Sequence, residues 1–531
     1  MKSFLITAAV FLGVCTVYLL LMLSGTENYF TYILDDAYIH LAMAKNFALH
    51  GVWGITEYSF SSSSSSPIFT FLLSGFIYLL GNHELIPLVF NCVCAVLLIF
   101  FLNRYYSRYF SENRPVIIAS VFTLAFTSIP LLIFSGMEHV LQGLMIAINI
   151  FCFERWQKSG YKNKYDSLGF YLTLALLGLI RFESMFYFIS LSFVLLLLRR
   201  CKELAGVLFF GFVPVLIFSY FTYRETGYFF PNSVIIKGLR FDTSKEYIEQ
   251  LIKIIQYKFI ENPYFFNAAL FPLLIAVFLI IKDVKKKLRF EEVLTRNFFL
   301  AVWCIALLIH GTFSQFTNFY RYEAYLLIGF AMAIIPKLHF YFNGFTINHF
   351  IVKQNRTMAV LITLSLGALA LKVGLGSYLI ITGSKNIYEQ QIQSARFLKK
   401  YYNESKVMAN DIGAISYFTD IHLFDFVGLG SKEIVPLRMK KRKVDAEVEA
   451  FLTRYSTQNK YQLAIAYDEW MDGHTPKNWR KAAVLTISGW NAVLGRDHVY
   501  IYSIDPKIHE ILKEQVRNFT WNKDIKVEII D

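Results

Sequence analysis

Cysteine is scarce and unevenly placed. The six present, Cys15, Cys92, Cys94, Cys152, Cys201 and Cys304, all lie in or beside apolar runs, and none follows Cys304. That excludes a disulfide framework in the last part of the chain and leaves no cysteine cluster with metal-ligand spacing. Charge is scarce as well: 17% of residues carry one, against roughly a quarter in an ordinary soluble domain. Repeats are missing too. Neither the acidic pair at Asp35-Asp36 nor any hairpin pattern recurs, as it would in many transporters built from internal repeats. What is present in excess is apolar sequence, 55% of the chain, gathered in long runs over the first 382 positions. Runs of about 20 residues match the hydrocarbon core of a bilayer. The formal net charge of +13 is therefore read against topology before nucleic acid, and no nucleic-acid partner is expected.

Basic flanks set the topology. Arg104, Arg108 and Arg114 follow one apolar run; Arg155, Lys158, Lys162 and Lys164 follow another; Arg199, Arg200 and Lys202 follow a third. Short Lys/Arg-rich loops stay on the cytoplasmic side, so each stretch between them goes out and returns. Lys282 to Arg289 mark the next inside loop, and Lys337, Lys353 and Arg356 the last. About eleven crossings follow, near 4–23, 85–102, 115–134, 138–153, 167–180, 183–198, 204–222, 265–281, 298–313, 322–338 and 358–382. The first run has no small-x-small cleavage site and reads as a retained helix. The N-terminus is expected in the cytoplasm of a multi-pass inner or plasma membrane protein, and the C-terminal domain outside. Pro67 to Leu80 is too short to cross and reads as an interfacial or re-entrant helix. The hexaserine run Ser61 to Ser66 before it reads as a low-complexity linker. The expected domains are a transmembrane module over 1–384, with outer loops at 24–84 and 223–264, and a soluble α/β domain over 385–531.

This topology brings polar residues from separate tips to one face. Asp35 and Asp36 follow the first helix, Glu138 and His139 tip one hairpin, Arg181 and Glu183 tip the next, and Arg321, Tyr322 and Glu323 begin the tenth crossing. Ionisable groups at membrane depth are expensive, so a gathering of them marks a site. Asp35-Asp36 opens a segment of helical period, read as an amphipathic helix on the outer surface. One Asp is enough to cap a helix; the second needs another reason. Two carboxylates can serve as a general base with its partner, or ligate a cation on a phosphate. The sequence demands no cofactor; a divalent cation, Mg2+ or Mn2+, would be held by Asp35, Asp36 and Glu138. Arg181 and Arg321 offer planar forks suited to phosphate. Arg181 has the alternative of an internal pair with Glu183 or Glu138. The constellation fits group transfer from a lipid phosphate.

The arrangement resembles the GT-C glycosyltransferases, which use polyprenyl-phosphate sugars on the extracytoplasmic face. The resemblance rests on an acidic pair after the first helix, an acidic residue at the second outer loop (Glu138) and a basic one at the third (Arg181). Asp35-Asp36-Ala37-Tyr38-Ile39 is most similar to mycobacterial-type arabinofuranosyltransferases acting on cell-wall polymers of the cell envelope. Asn410-Asp411-Ile412-Gly413 and Asp425-Phe426-Val427-Gly428-Leu429 also resemble the outer domain of such enzymes. The resemblance implies a GT-C-like glycosyltransferase with an inverting displacement. Asp35 is the expected base, with Arg181, Arg321 and Tyr322 on the donor phosphate and Glu138 and Glu183 orienting the donor. The acceptor would be a glycan, lipid or protein, and the sugar arabinofuranose or another pentose or hexose. Ser66 stands where the aminoarabinose transferase has a lysine, so phosphate recognition differs there. The competing reading is a transporter or flippase of a lipid-linked or anionic substrate.

From residue 385 onward, short apolar runs at Val407-Met408-Ala409, His422-Leu423-Phe424, Leu463 to Ala466 and Val499 to Tyr502 read as strands. Trp470, Trp479 and Trp490 are candidates for stacking on an acceptor's sugar rings, with core packing as the alternative.

Overall fold

The structure is a computed structural model that describes residues 1–238, 246–317, 319–339, 356–441 and 443–530. Arg240 of the long outer loop and Lys353 of the last basic loop lie outside these residues. Each of the eleven stretches expected to cross overlaps a helix. Among the described residues, five helices are long and apolar enough to cross a membrane by themselves: Lys2–Gly25, Ile86–Tyr106, Cys201–Thr226, Pro263–Val284 and Arg356–Tyr401. Phe290–Arg296 and Phe298–Phe313 would make a sixth as one span, but they meet at 80°. The stretch 115–134 is broken after Phe126. Ser128 takes a left-handed φ of 54° and the chain restarts as Ile129–Phe134, with Pro130 in its first turn, where the missing N–H costs nothing.

Pro67–Leu80 is a helix whose last turn, Tyr78-Leu79-Leu80, is exposed. The segment after Asp35 departs from expectation. It forms the helix Asp36–His50, but every residue from Ala37 to Asn46 is buried, so it does not lie on a surface with one wet face. It is packed between Pro67–Leu80 and a short helix of the C-terminal domain, Gly413–Phe418.

The C-terminal domain is a six-stranded mixed sheet in the order β2-β1-β3-β5-β4-β6. The strands are β1 (Lys406–Ala409), β2 (His422–Asp425), β3 (Leu463–Ala466), β4 (Arg480–Thr486), β5 (His498–Ser503) and β6 (Lys526–Ile529). β1 runs parallel to β2 and β3, and the other pairs are antiparallel. Successive side chains of a strand point to opposite faces. Val407 and Ala409 accordingly join the core that continues into the helical body, while Met408 joins a second core with Phe424, Leu452 and Tyr502. The domain is therefore fused to the body through one sheet face. The connection is continuous as well: the helix Arg356–Tyr401 runs without interruption through position 385, where the domain was expected to begin.

Candidate active site

Four tips of the body meet at one cluster. Arg321 Nη1 donates to Asp36 Oδ2 at 2.8 Å, and Arg321 Nη2 to the Tyr322 hydroxyl at 3.1 Å. The Tyr322 ring faces both guanidinium groups, with Arg321 Cζ 4.8 Å and Arg181 Cζ 5.1 Å from its centroid. A desolvated cation over an aromatic face gains about 1–2 kcal/mol, so the tyrosine holds two like charges close together. Arg181 is braced further by Glu138 at 2.5 Å, by Glu183 at 2.6 and 3.0 Å and by Ser65 Oγ at 3.3 Å. Those contacts use Nε–H, both Nη1–H and one Nη2–H of the five donors a guanidinium has.

The cluster borders a cavity of about 1200 Å³. Asp36, Arg181, Glu183 and Tyr322 line its polar end, while Phe182, Met185, Phe186 and Phe313 make an apolar flank. Glu138 does not reach the cavity: it is fully buried behind Arg181, and His40 Nε2 lies 3.4 Å from its other oxygen. Glu323 is fully buried and does not line the cavity either. The loop expected at 223–264 contributes Ser233, Ile236, Lys253 and Lys258 to the wall, so it is more than a connector.

Asp35 is placed differently from its neighbour. Its Oδ2 accepts from Gly413 N at 2.7 Å and its Oδ1 from Ala414 N at 2.8 Å. Both oxygens are engaged by the C-terminal domain, and the residue does not line the cavity. Consecutive helical positions point about 100° apart, which sends the two carboxylates to different partners. Burial, then the nearby Asp411 carboxylate, pushes the Asp35 pKa up to about 7 against the pull of the two amides.

The hexaserine run is not an idle linker. Ser63 and Ser65 line the cavity. Ser63 Oγ donates to Leu429 O at 3.0 Å, Ser61 Oγ accepts from Ile55 N at 2.8 Å, and Ser64 Oγ bonds the Thr70 hydroxyl at 2.9 Å. The run therefore contributes both to the cavity wall and to hydrogen bonds that hold the surrounding chain. Leu429 also lines the cavity. It follows Gly428, whose φ of 96° lies where only glycine rests easily, and the turn is held by Asp425 accepting from Val427 N and Gly430 N.

The three tryptophans do not converge on the cavity. Trp479 is buried in the second core against Phe426 and Tyr502, with ring centroids at 5.9 and 5.4 Å. Trp470 packs on Tyr467 at 5.0 Å. Trp490 is 81% exposed. Their apolar, bulky character made them equally suited to a core, and packing claimed the first two. The expected cation set does not assemble either. Asp35 is taken by amides and Glu138 by Arg181, and among the described residues no three His, Cys, Asp or Glu side chains gather as metal ligands.

A helical body, a mixed-sheet domain and a cavity at their junction form an architecture that a solved structure shares. The structure of apo ArnT from Cupriavidus metallidurans superposes with a TM-score of 0.51 at 11% identity, covering 94% of this chain and 98% of that one. The same protein bound to undecaprenyl phosphate gives 0.49 at 11% identity with the same coverage. The archaeal oligosaccharyltransferase AglB from Archaeoglobus fulgidus, in complex with an inhibitory peptide and a dolichol-phosphate, gives 0.43 at 11% identity, covering 94% of this chain and 78% of that one. Residues 385–502 match a family described as a domain of unknown function, DUF8728. No curated protein matches the chain.

Proposed function

We propose that the chain is a membrane glycosyltransferase that moves a sugar from a polyprenyl-phosphate donor to an extracytoplasmic acceptor, with Asp36 as the base. The carrying observation is that Asp36 and Arg181 face one cavity of about 1200 Å³ with an apolar flank. The acceptor hydroxyl gives its proton to Asp36 as its oxygen attacks the anomeric carbon. The bond from that carbon to the phosphate oxygen breaks, and its electron pair leaves with polyprenyl phosphate. The leaving group gains negative charge, which a preorganised donor in a low-dielectric site stabilises strongly. The remaining Nη2–H of Arg181 points to that role. Among the described residues the cavity has Arg181, Lys253, Lys258 and Arg438 against Asp36 and Glu183, a balance that favours an anionic ligand. Arg321 holds Asp36 in place through its 2.8 Å contact.

The resemblance of Asp35-Asp36-Ala37-Tyr38-Ile39 to arabinofuranosyltransferases supports a pentose such as arabinofuranose as the first sugar to test. In this reading the chain crosses the membrane about eleven times, with the N-terminus in the cytoplasm and the C-terminal domain outside. No step is routed through a metal ion. The test is transfer from a panel of radiolabelled polyprenyl-phosphate sugars by the purified chain in nanodiscs. Asp36→Asn is expected to lower the rate by about 100-fold or more, the usual contribution of a positioned base. Undiminished transfer by Asp36→Asn removes the base; no transfer from any donor by the wild-type chain removes the activity.

A further inference from the structure

The C-terminal domain grips the acidic pair from outside the cavity. Asp35 sits at the N-terminal end of Gly413–Phe418, its two oxygens on the amides of Gly413 and Ala414. One side of Gly413 is fully occupied: a Cβ there would lie 2.1 Å from the Asp35 carbonyl oxygen and 2.8 Å from its carboxylate. The other end of the same short helix is held from the same partner. Lys45 Nζ, almost wholly buried, donates to Tyr417 O at 3.1 Å and Thr419 O at 3.4 Å. Acid on free N–H groups and base on free C=O groups is the arrangement the helix dipole favours at each end. Asp35, which caps Asp36–His50, and Lys45 within it thus hold one short helix at both ends, and the residue after Asp35 is the one that faces the cavity. Behind the clamp, Asp411 accepts from Gln391 Nε2 at 2.8 Å and from the Tyr467 hydroxyl at 2.5 Å, which ties it to the long helix Arg356–Tyr401.

We infer that the C-terminal domain is the positioning element for the base: Gly413–Phe418, held by Asp35 and Lys45, sets the orientation of Asp36 toward Arg321 and the cavity. The inference rests on the reading of Asp36 as base. Asp35 is then a positioning residue that touches no reacting atom.

The test uses the full chain in nanodiscs with three variants, Gly413→Ala, Asp35→Asn and Lys45→Met, and three readouts. The first is kcat and KM with whichever polyprenyl-phosphate sugar the wild-type chain turns over. Gly413→Ala is expected to lower kcat by about tenfold or more, since a misplacement of about 1 Å costs on the order of a hundredfold, while KM for the donor stays within about twofold. The second is binding of undecaprenyl phosphate, which is expected to be unchanged in Gly413→Ala. The third is hydrogen exchange at the amides of Gly413 and Ala414, expected to quicken by about tenfold or more in Asp35→Asn. Should Gly413→Ala fail to fold, Lys45→Met is read in its place for kcat. A kcat unchanged in the folded variant, or equal amide protection in Asp35→Asn, overturns the clamp. If the wild-type chain transfers no sugar, the glycosyltransferase reading falls and the exchange measurement alone decides the clamp.

Discussion

Ser65 accepts a hydrogen bond from Arg181 Nη1, and a guanidinium can only donate. The serine's own proton is therefore left to point elsewhere, and the residue lines the cavity. Under the proposed function that proton would be given to a phosphate or sugar oxygen of the donor. Ser65→Ala is expected to weaken donor binding by roughly fivefold, the equivalent of one hydrogen bond of about 1 kcal/mol, with kcat little changed; equal affinity in a binding titration would deny the contact. The same scale shows what sequence hides. Asp35 and Asp36 are chemically identical neighbours, and their different fates depend on a helical step and on amides 378 positions away. That acids and arginines gather at one face was readable from the breaks in apolar runs. Which acid faces the cavity was not.

At the scale of elements, the strands at β1, β2, β3 and β5 were legible because each is a short apolar run between polar ones. β4 opens with Arg480-Lys481 and β6 alternates exposed and half-buried residues, so neither stands out from its surroundings. The tryptophans illustrate the same limit, since a ring for stacking and a ring for packing read alike in sequence. Trp479→Ala is expected to destabilise the chain by about 3–5 kcal/mol through the cavity it leaves. Trp490→Ala, at a surface, is expected to change stability by less than about 0.5 kcal/mol. Thermal unfolding of both variants in the same detergent checks the pair, and equal shifts would mean that the second core has been misassigned. The serine run is the opposite case. Its composition reads as linker, yet its hydroxyls bond Ile55 N, Leu429 O and Thr70, and two of its residues line the cavity.

For the whole molecule, each of the eleven stretches read as crossings overlaps a helix, whereas among the described residues length and apolarity by themselves pick out five. The junction between body and domain carries a pH dependence. Asp35 ordinarily titrates near 3.8, and burial with Asp411 beside it pushes it up to about 7. For an acid with a raised pKa, the folded state binds the proton more tightly than the unfolded one. The stabilising contribution is complete below about pH 3.8 and is lost as pH rises through about 7. Docking of the domain, followed by protease protection in nanodiscs, is expected to weaken as pH rises from about 3.8 to about 7, the interval between the two values. Asp35→Asn removes the titrating carboxyl and should flatten the profile; an equally steep profile in that variant would assign the titration to another group.

The separation of Asp35 from Gly413, 378 positions in the chain, has a consequence in time. A ribosome adding about 5–20 residues each second delivers the acidic pair tens of seconds before the amides that hold it. Until then the nascent chain carries an unfinished acidic turn. A truncated product that stops short of the sheet lacks Gly413 and Ala414 and keeps that turn unfinished permanently.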